Sequence, residues 1–114
     1  MLEATPSTPP EPLTVEEVIG CLRQRWQASY DLQLVVRQGR LYVQVMWAYL
    51  EQQSFPLDEA AYREHLAEVI EVVNRLAQAN AVRTWLENTR DRPRLGKALS
   101  FQLQGAERLE EFLL

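Results

Sequence analysis

The sequence predicts an α+β fold: a small antiparallel-rich sheet, made of a hairpin and a third strand, with helices packed on one face. Apolar and polar residues alternate on both sides of Gln38-Gly39 and again over residues 99–104, which predicts the strands. Apolar residues at helical spacing before and after the hairpin predict the helices. The predicted order is α-β-β-α-α-β-α, in a chain whose 114 residues suffice for one domain.

Composition places the chain among ordinary globular domains. Apolar residues make up 46% of it and charged residues 25%, unlike the composition of disordered proteins. The net charge of −4 argues against a protein that binds polyphosphate with its whole surface. No apolar run is long enough to span a bilayer, and residues 1–12 lack the basic start and apolar middle of a secretory signal.

Cys21 is the only cysteine in the chain. A single thiol excludes an intramolecular disulfide, and in a monomer it excludes a thiolate zinc site and a protein-held iron–sulfur cluster. We therefore interpret Cys21 as a small buried side chain and expect no cofactor. The same observation places the protein in the cytoplasm or a similar reducing compartment.

The N-terminal region divides into a tail and a helix. Residues 1–13 carry four of the six prolines, which predicts a flexible tail ahead of a single domain over residues 14–114. Thr14 and Glu17 fit a capping box, in which each side chain binds the backbone amide of the other residue. The helix should end near Ala28. Its buried stripe consists of Val15, Val18, Ile19, Leu22 and Trp26.

The hairpin is the clearest local pattern. If Gln38 and Gly39 form a two-residue loop, Arg37 pairs with Arg40. The pairs that follow are Val36 with Leu41, Leu34 with Val43, and Leu32 with Val45. This register puts these apolar side chains on one face, and a slip of one residue would reverse it. The like charges of Arg37 and Arg40 disfavour this register, and Gln38 is poorly suited to positive φ. A loop of more than two residues is therefore the alternative.

The middle of the chain predicts a second helix. Residues 48–55 fit either an extension of the second strand or a helical turn before Pro56. Asp58 is a suitable N-cap, and Asn80 suits the left-handed residue that ends the helix. The buried stripe consists of Tyr62, Leu66, Val69, Ile70, Val73, Leu76 and Ala77.

Residues 81–89 predict a short third helix. The alternative is a strand that runs through Val82, Thr84 and Leu86. Residues 91–96 form a loop because of their proline and glycine. The third strand follows, with the alternating apolar residues Leu99, Phe101 and Leu103. After Gly105, a last short helix is predicted from Leu109, Phe112 and Leu113.

Few residues suit catalysis. His65 is the only histidine, and it lies within a predicted helix near Glu64 and Glu68. The sequence around Cys21 does not resemble that of a catalytic nucleophile, and the glycines lie too far apart for a phosphate-binding loop. We therefore expect a non-catalytic protein without a bound metal. An enzyme or small-ligand site that uses His65 or Cys21 is the alternative.

The strongest functional candidate is the basic loop, residues 90–97, whose cations are Arg90, Arg92, Arg94 and Lys97. Guanidinium groups on a loop stiffened by proline suit carboxylate or phosphate. An acidic protein is the favoured partner, because the loop lacks the interleaved aromatics and the chain lacks the positive charge of a nucleic-acid binder. The alternatives are a weak RNA binder through the same loop, and a solvated connector that pairs with carboxylates such as Glu87.

Aromatic residues gather at the predicted end of the second strand, over residues 46–56. Trp47 and Tyr49 are candidate partner-binding residues, because aromatic side chains often anchor interfaces. The alternative is that these aromatics close the open end of a small core.

Two stretches, QVMWAYLEQQSFPLDEAAYREHL and TRDRPRLGKALSFQL, resemble the signature segments of a small uncharacterised domain family of cyanobacteria and of plant and algal chloroplasts. The resemblance covers roughly residues 14–104 and carries over no catalytic residue. It implies a cyanobacterial cytoplasm, or the chloroplast stroma for plant relatives. It also implies an auxiliary or assembly role in the maturation of a photosynthetic protein, such as an acidic ferredoxin-type client that the basic loop would bind.

Overall fold

The computed structural model describes residues 11–105, which form helices and a three-stranded antiparallel sheet of order β1-β2-β3. The elements are α1 (Val15–Trp26), β1 (Tyr30–Arg37), β2 (Arg40–Tyr49), α2 (Glu59–Arg75), α3 (Ala79–Asn88) and β3 (Leu99–Gln102). The predicted α+β class is confirmed, as is the order α-β-β-α-α-β. The last predicted helix lies outside the described residues.

The start of α1 confirms half of the predicted capping box. Thr14 Oγ1 accepts a hydrogen bond of 3.1 Å from the amide of Glu17. The other half is wrong, because the Glu17 carboxylate binds the guanidinium of Arg83 on α3 instead. Leu13, which the sequence placed in the tail, is buried, and Asn74 of α2 binds both its amide and its carbonyl. The folded region therefore already includes Leu13.

The hairpin has the predicted register. Gln38 and Gly39 form the loop with φ of 53° and 76°, and Arg37 lies opposite Arg40. Positive φ at both central residues matches the right-handed twist of the flanking strands. The other predicted pairs are also observed, namely Val36–Leu41, Leu34–Val43 and Leu32–Val45. Val36 is the exception to the predicted burial, since it is 68% exposed.

The connections around α2 are partly as predicted. β2 extends through Tyr49, so the strand reading applies to the first residues of the ambiguous segment. Asp58 caps α2 as predicted, since its Oδ1 accepts a hydrogen bond of 2.8 Å from the amide of Ala61. Residues 81–88 lie in α3, and Thr89 follows its last residue. The strand alternative is therefore excluded.

The predicted end of α2 at Asn80 is wrong. Ala77, which was assigned to the buried stripe, is exposed and takes the left-handed conformation with φ of 58°. The amide of Gln78 then donates to the carbonyl of Val73 at 3.0 Å, which satisfies one of the last carbonyls of the helix. Ending the helix here allows Leu76 and the residues of α3 to face the same core.

The helices of residues 11–105 pack on one face of the sheet. Leu32, Val43 and Val45 on that face are at most 2% exposed. The hydroxyl of Tyr62 on α2 donates to the carbonyl of Tyr30 at 2.8 Å, which ties the helix to β1 inside the core. We call the opposite side the open face. Cross-strand pairing puts Gln33, Val35, Tyr42, Gln44 and Ser100 on it.

Within residues 11–105, no helix combines the length and the apolar character needed to cross a membrane.

Gln38→Asn should raise the free energy of unfolding by up to about 1 kcal/mol, because asparagine tolerates a left-handed backbone better than glutamine. Urea denaturation measures this change. Gln38→Ala is the matched control, since it shortens the side chain without easing the backbone. An equal gain in both variants would show that the backbone at this position is not strained.

Tyr62→Phe should lower the free energy of unfolding by about 1 kcal/mol, because it leaves the buried carbonyl of Tyr30 without its side-chain donor. Tyr42→Phe, on the open face, removes a hydroxyl that is not buried in the core and should change stability far less. Thermal or urea unfolding of both variants compares them. The prediction fails if the two losses are equal.

Candidate functional site

Local features hold the basic loop in a defined shape. Pro93 is fully buried, which anchors the middle of the loop. Beyond it, the amide of Lys97 donates to the carbonyl of Arg94 at 2.8 Å, and the reverse bond measures 3.2 Å. Gly96 takes φ of 79° in the tight turn between them. The loop therefore presents Arg94 and Lys97 as a cross-strand pair, with Leu95 at the tip of the turn.

This turn and the open face enclose a cleft of about 520 Å³, which we call the basic cleft. Arg94 and Lys97 line it from the turn, and Arg37 lines it from the end of β1. None of the described residues that line it is acidic. The cleft therefore gathers positive charge on a protein whose net charge is −4.

The interior of the basic cleft combines a polar floor with an apolar wall. Gln44 is only 6% exposed, and its Nε2 donates to Ser100 Oγ at 2.8 Å. The apolar lining consists of Met46, Trp47, Leu95 and Ala98. A bound molecule would thus meet cations, neutral hydrogen-bonding groups and apolar side chains within a single site.

Among residues 11–105, the cations of the basic cleft lack the ion pairs and side-chain hydrogen bonds that five other arginines form. Arg23, Arg63, Arg75 and Arg83 form ion pairs, and Arg25 donates to the carbonyls of Leu86 and Thr89. Among residues 11–105, the cations without an ion pair or a side-chain hydrogen bond are Arg37, Arg40, Arg90, Arg92, Arg94 and Lys97. The alternative in which the loop cations pair with Glu87 is not observed within this region.

The structure brings together some of the predicted partner-binding residues. Trp47 lines the basic cleft beside Arg94 and Lys97. Arg90 and Arg92 are exposed on the segment before Pro93 and do not line the cleft.

Tyr49 also lies outside the basic cleft. Its ring packs edge-to-face on Tyr30 at 5.5 Å and on Trp47 at 6.2 Å between ring centroids. Tyr49 is thus partly buried against the hydrophobic core, which agrees with the alternative interpretation of the aromatic segment.

Arg37 is a cation of the cleft that sequence reasoning did not select. Its signal was already visible in the sequence, because the predicted register sets Arg37 opposite Arg40. Such a like-charge pair destabilises a hairpin, so hairpin stability does not explain why both positions are arginine. Gln44 and Ser100 were likewise treated only as the polar half of an alternating pattern.

Cys21 and His65 do not form a joint site. Cys21 is half-buried on α1 and lines a groove between α1 and α3, and burial raises the pKa of its thiol. His65 lies on α2, with Nε2 2.7 Å from the carbonyl oxygen of Leu32 and 3.5 Å from Asp31 Oδ1. Within the described part of the chain, no group of three or more histidine, cysteine, aspartate or glutamate residues could hold a metal ion.

Asp31 is a buried carboxylate beside His65. Its Oδ2 accepts a hydrogen bond of 3.2 Å from Gln33, whereas its Oδ1 is buried and accepts no hydrogen bond from the residues that the structure describes. Burial raises the pKa of Asp31, and the Gln33 bond and the neighbouring His65 offset only part of this effect. The charged form of Asp31 therefore destabilises the fold.

Comparison with known proteins identifies the family. The family described as "Domain of unknown function (DUF3067)" matches residues 16–113. The chain belongs to this family. The resemblance to a small uncharacterised domain family is thereby confirmed.

A solved structure shares the DUF3067 fold of this chain. It is the solution NMR structure of the Alr2454 protein from the cyanobacterium Nostoc sp. strain PCC 7120. The two are 43% identical, the TM-score is 0.78, and the match covers 90% of this chain and 98% of that chain. A search of curated proteins found no match.

Asp31→Asn should raise the free energy of unfolding near pH 7, because it removes a buried charge. The raised pKa means that the folded state binds the proton of Asp31 more tightly than the unfolded state does. The wild type should therefore gain stability relative to the variant as the pH falls through that pKa. Urea denaturation at a series of pH values measures the difference, with Glu64→Gln on the exposed surface as the control. A difference that does not depend on pH would contradict the prediction.

Proposed function

We propose that the protein is a non-catalytic binding or assembly factor that holds an acidic segment of another protein in the basic cleft. The observation that carries this proposal is the convergence of Arg37, Arg94 and Lys97 on one cleft without an ion pair among the described residues. Carboxylates are the natural partners of such groups, because guanidinium and ammonium form charge-assisted hydrogen bonds with them.

Electrostatic repulsion between neighbouring cations supports this proposal. Cations that lie within about 10 Å of one another repel, because salt screens them only partly at that distance. Arg37 also faces Arg40 directly across the hairpin. A bound carboxylate would relieve this repulsion, so part of the binding free energy would come from charges that destabilise the unbound protein.

The cyanobacterial relative supports a setting for this function. In our proposal the protein acts in the cytoplasm of a photosynthetic cell, as an auxiliary factor in the maturation of an acidic protein such as a ferredoxin-type iron–sulfur client. With Cys21 as the only thiol, the protein would hold its client rather than supply the ligands of a cluster.

Arg94→Glu should weaken binding to the unfolded, cluster-free form of an acidic plant-type ferredoxin by about tenfold or more at roughly 0.1 M salt, because it replaces attraction by repulsion in the cleft. Titration calorimetry measures the affinity, and circular dichroism checks the fold. Arg75→Glu changes the net charge equally on exposed α2 and should alter the affinity by less than about twofold.

Two results would overturn the proposed function. One is an equal effect of Arg94→Glu and Arg75→Glu, which would trace binding to net charge alone. The other is tighter binding to a single-stranded RNA of matched charge than to the acidic protein, which would favour the RNA alternative.

A further inference from the structure

We infer that the basic cleft recognises an extended acidic peptide in which an apolar side chain lies between carboxylates, rather than a folded acidic surface. The inference rests on the proposed function and specifies the chemistry of its ligand. The arrangement of apolar, polar and cationic groups within the cleft carries it.

The exposure of Leu95 is the first observation. Leu95 is 79% exposed at the tip of the turn between Arg94 and Lys97. Single exposed apolar residues are common on protein surfaces, but Leu95 lines the same cleft as Met46 and Trp47. It therefore extends the apolar wall of the cleft, and an apolar side chain of the ligand would cover that wall.

The floor of the cleft is the second observation. Gln44 Nε2 already donates to Ser100 Oγ, so the hydroxyl hydrogen of Ser100 is left to donate to a ligand. A peptide carbonyl is a suitable neutral acceptor for it. An extended peptide can lower its backbone to this floor, whereas a folded surface would contact only the rim.

The placement of the cations is the third observation. Arg37, Arg94 and Lys97 are exposed, whereas Met46 and Trp47 are half-buried. Side chains of an extended peptide alternate between opposite sides. In a bound peptide of the order acidic–apolar–acidic, the middle side chain therefore points to the apolar wall. Its acidic neighbours remain free to reach the cations at the rim.

The volume of the cleft agrees with this occupant. About 520 Å³ lies within the range of sites that enclose small ligands, and it suits a few peptide residues. A large folded surface does not need such a cleft, because flat interfaces depend on area rather than on depth.

Two synthetic peptides test the inference, Glu-Asp-Phe-Asp-Glu and Glu-Asp-Ala-Asp-Glu, each with blocked ends and the same charge. We expect the phenylalanine peptide to bind at least about tenfold more tightly, because its ring is buried against the apolar wall. Leu95→Ser should reduce that ratio to less than about threefold while leaving the alanine peptide's affinity unchanged. Val36→Ser removes another exposed apolar side chain, one that lies outside the cleft, so both affinities should remain at the wild-type values.

The outcomes separate this inference from the proposed function. If both peptides bind equally and Arg94→Glu weakens both, the inference is overturned and the binding factor stands. If Arg94→Glu changes neither affinity, the proposed function fails as well. Tighter binding of a single-stranded RNA of matched charge than of either peptide would overturn the peptide as the ligand.

Discussion

The pairing of β1 with β2 around Gln38-Gly39 decides which side of the sheet meets the helices. In the observed register Val43 and Val45 face the helical layer, and Gln44 faces the other way. A slip of β2 by one residue would exchange these roles and bury an amide among apolar side chains. The described helices pack on one face, and the other face carries the polar residues on which the basic loop forms the cleft.

Arginine has two distinct uses in this fold. The Arg63–Glu16 and Arg83–Glu17 pairs connect α1 to α2 and to α3, and Arg25 donates to two carbonyls at the C-terminal end of α3, one of them in its C-cap residue. Exposed ion pairs contribute at most about 1 kcal/mol each, so the apolar core remains the main source of stability. The cations of the basic cleft join no such network within residues 11–105. Repulsion among these cations lowers the stability of the free protein, and the proposed role in binding accounts for their presence.

Much of the fold could be predicted because the decisive patterns are local. Thr14 and Asp58 cap helices through amides only three residues away, and the hairpin register follows from a two-residue loop and strict alternation. The errors occur where a local signal competes with a distant contact. Asn80 has the better intrinsic preference for a left-handed end, but Ala77 takes that conformation because it lets α3 turn back onto the core.

The sequence by itself determined the α+β class, the starts of α1 and α2, the register of the hairpin and the concentration of cations in residues 90–97. Each of these depends on residues that are neighbours in the chain, so spacing and residue type suffice to identify them. Only the tertiary structure decided that Arg37 joins Arg94 and Lys97 in one cleft and that Glu17 binds Arg83. Those contacts join residues far apart in the chain, and no local periodicity encodes where two such segments will meet.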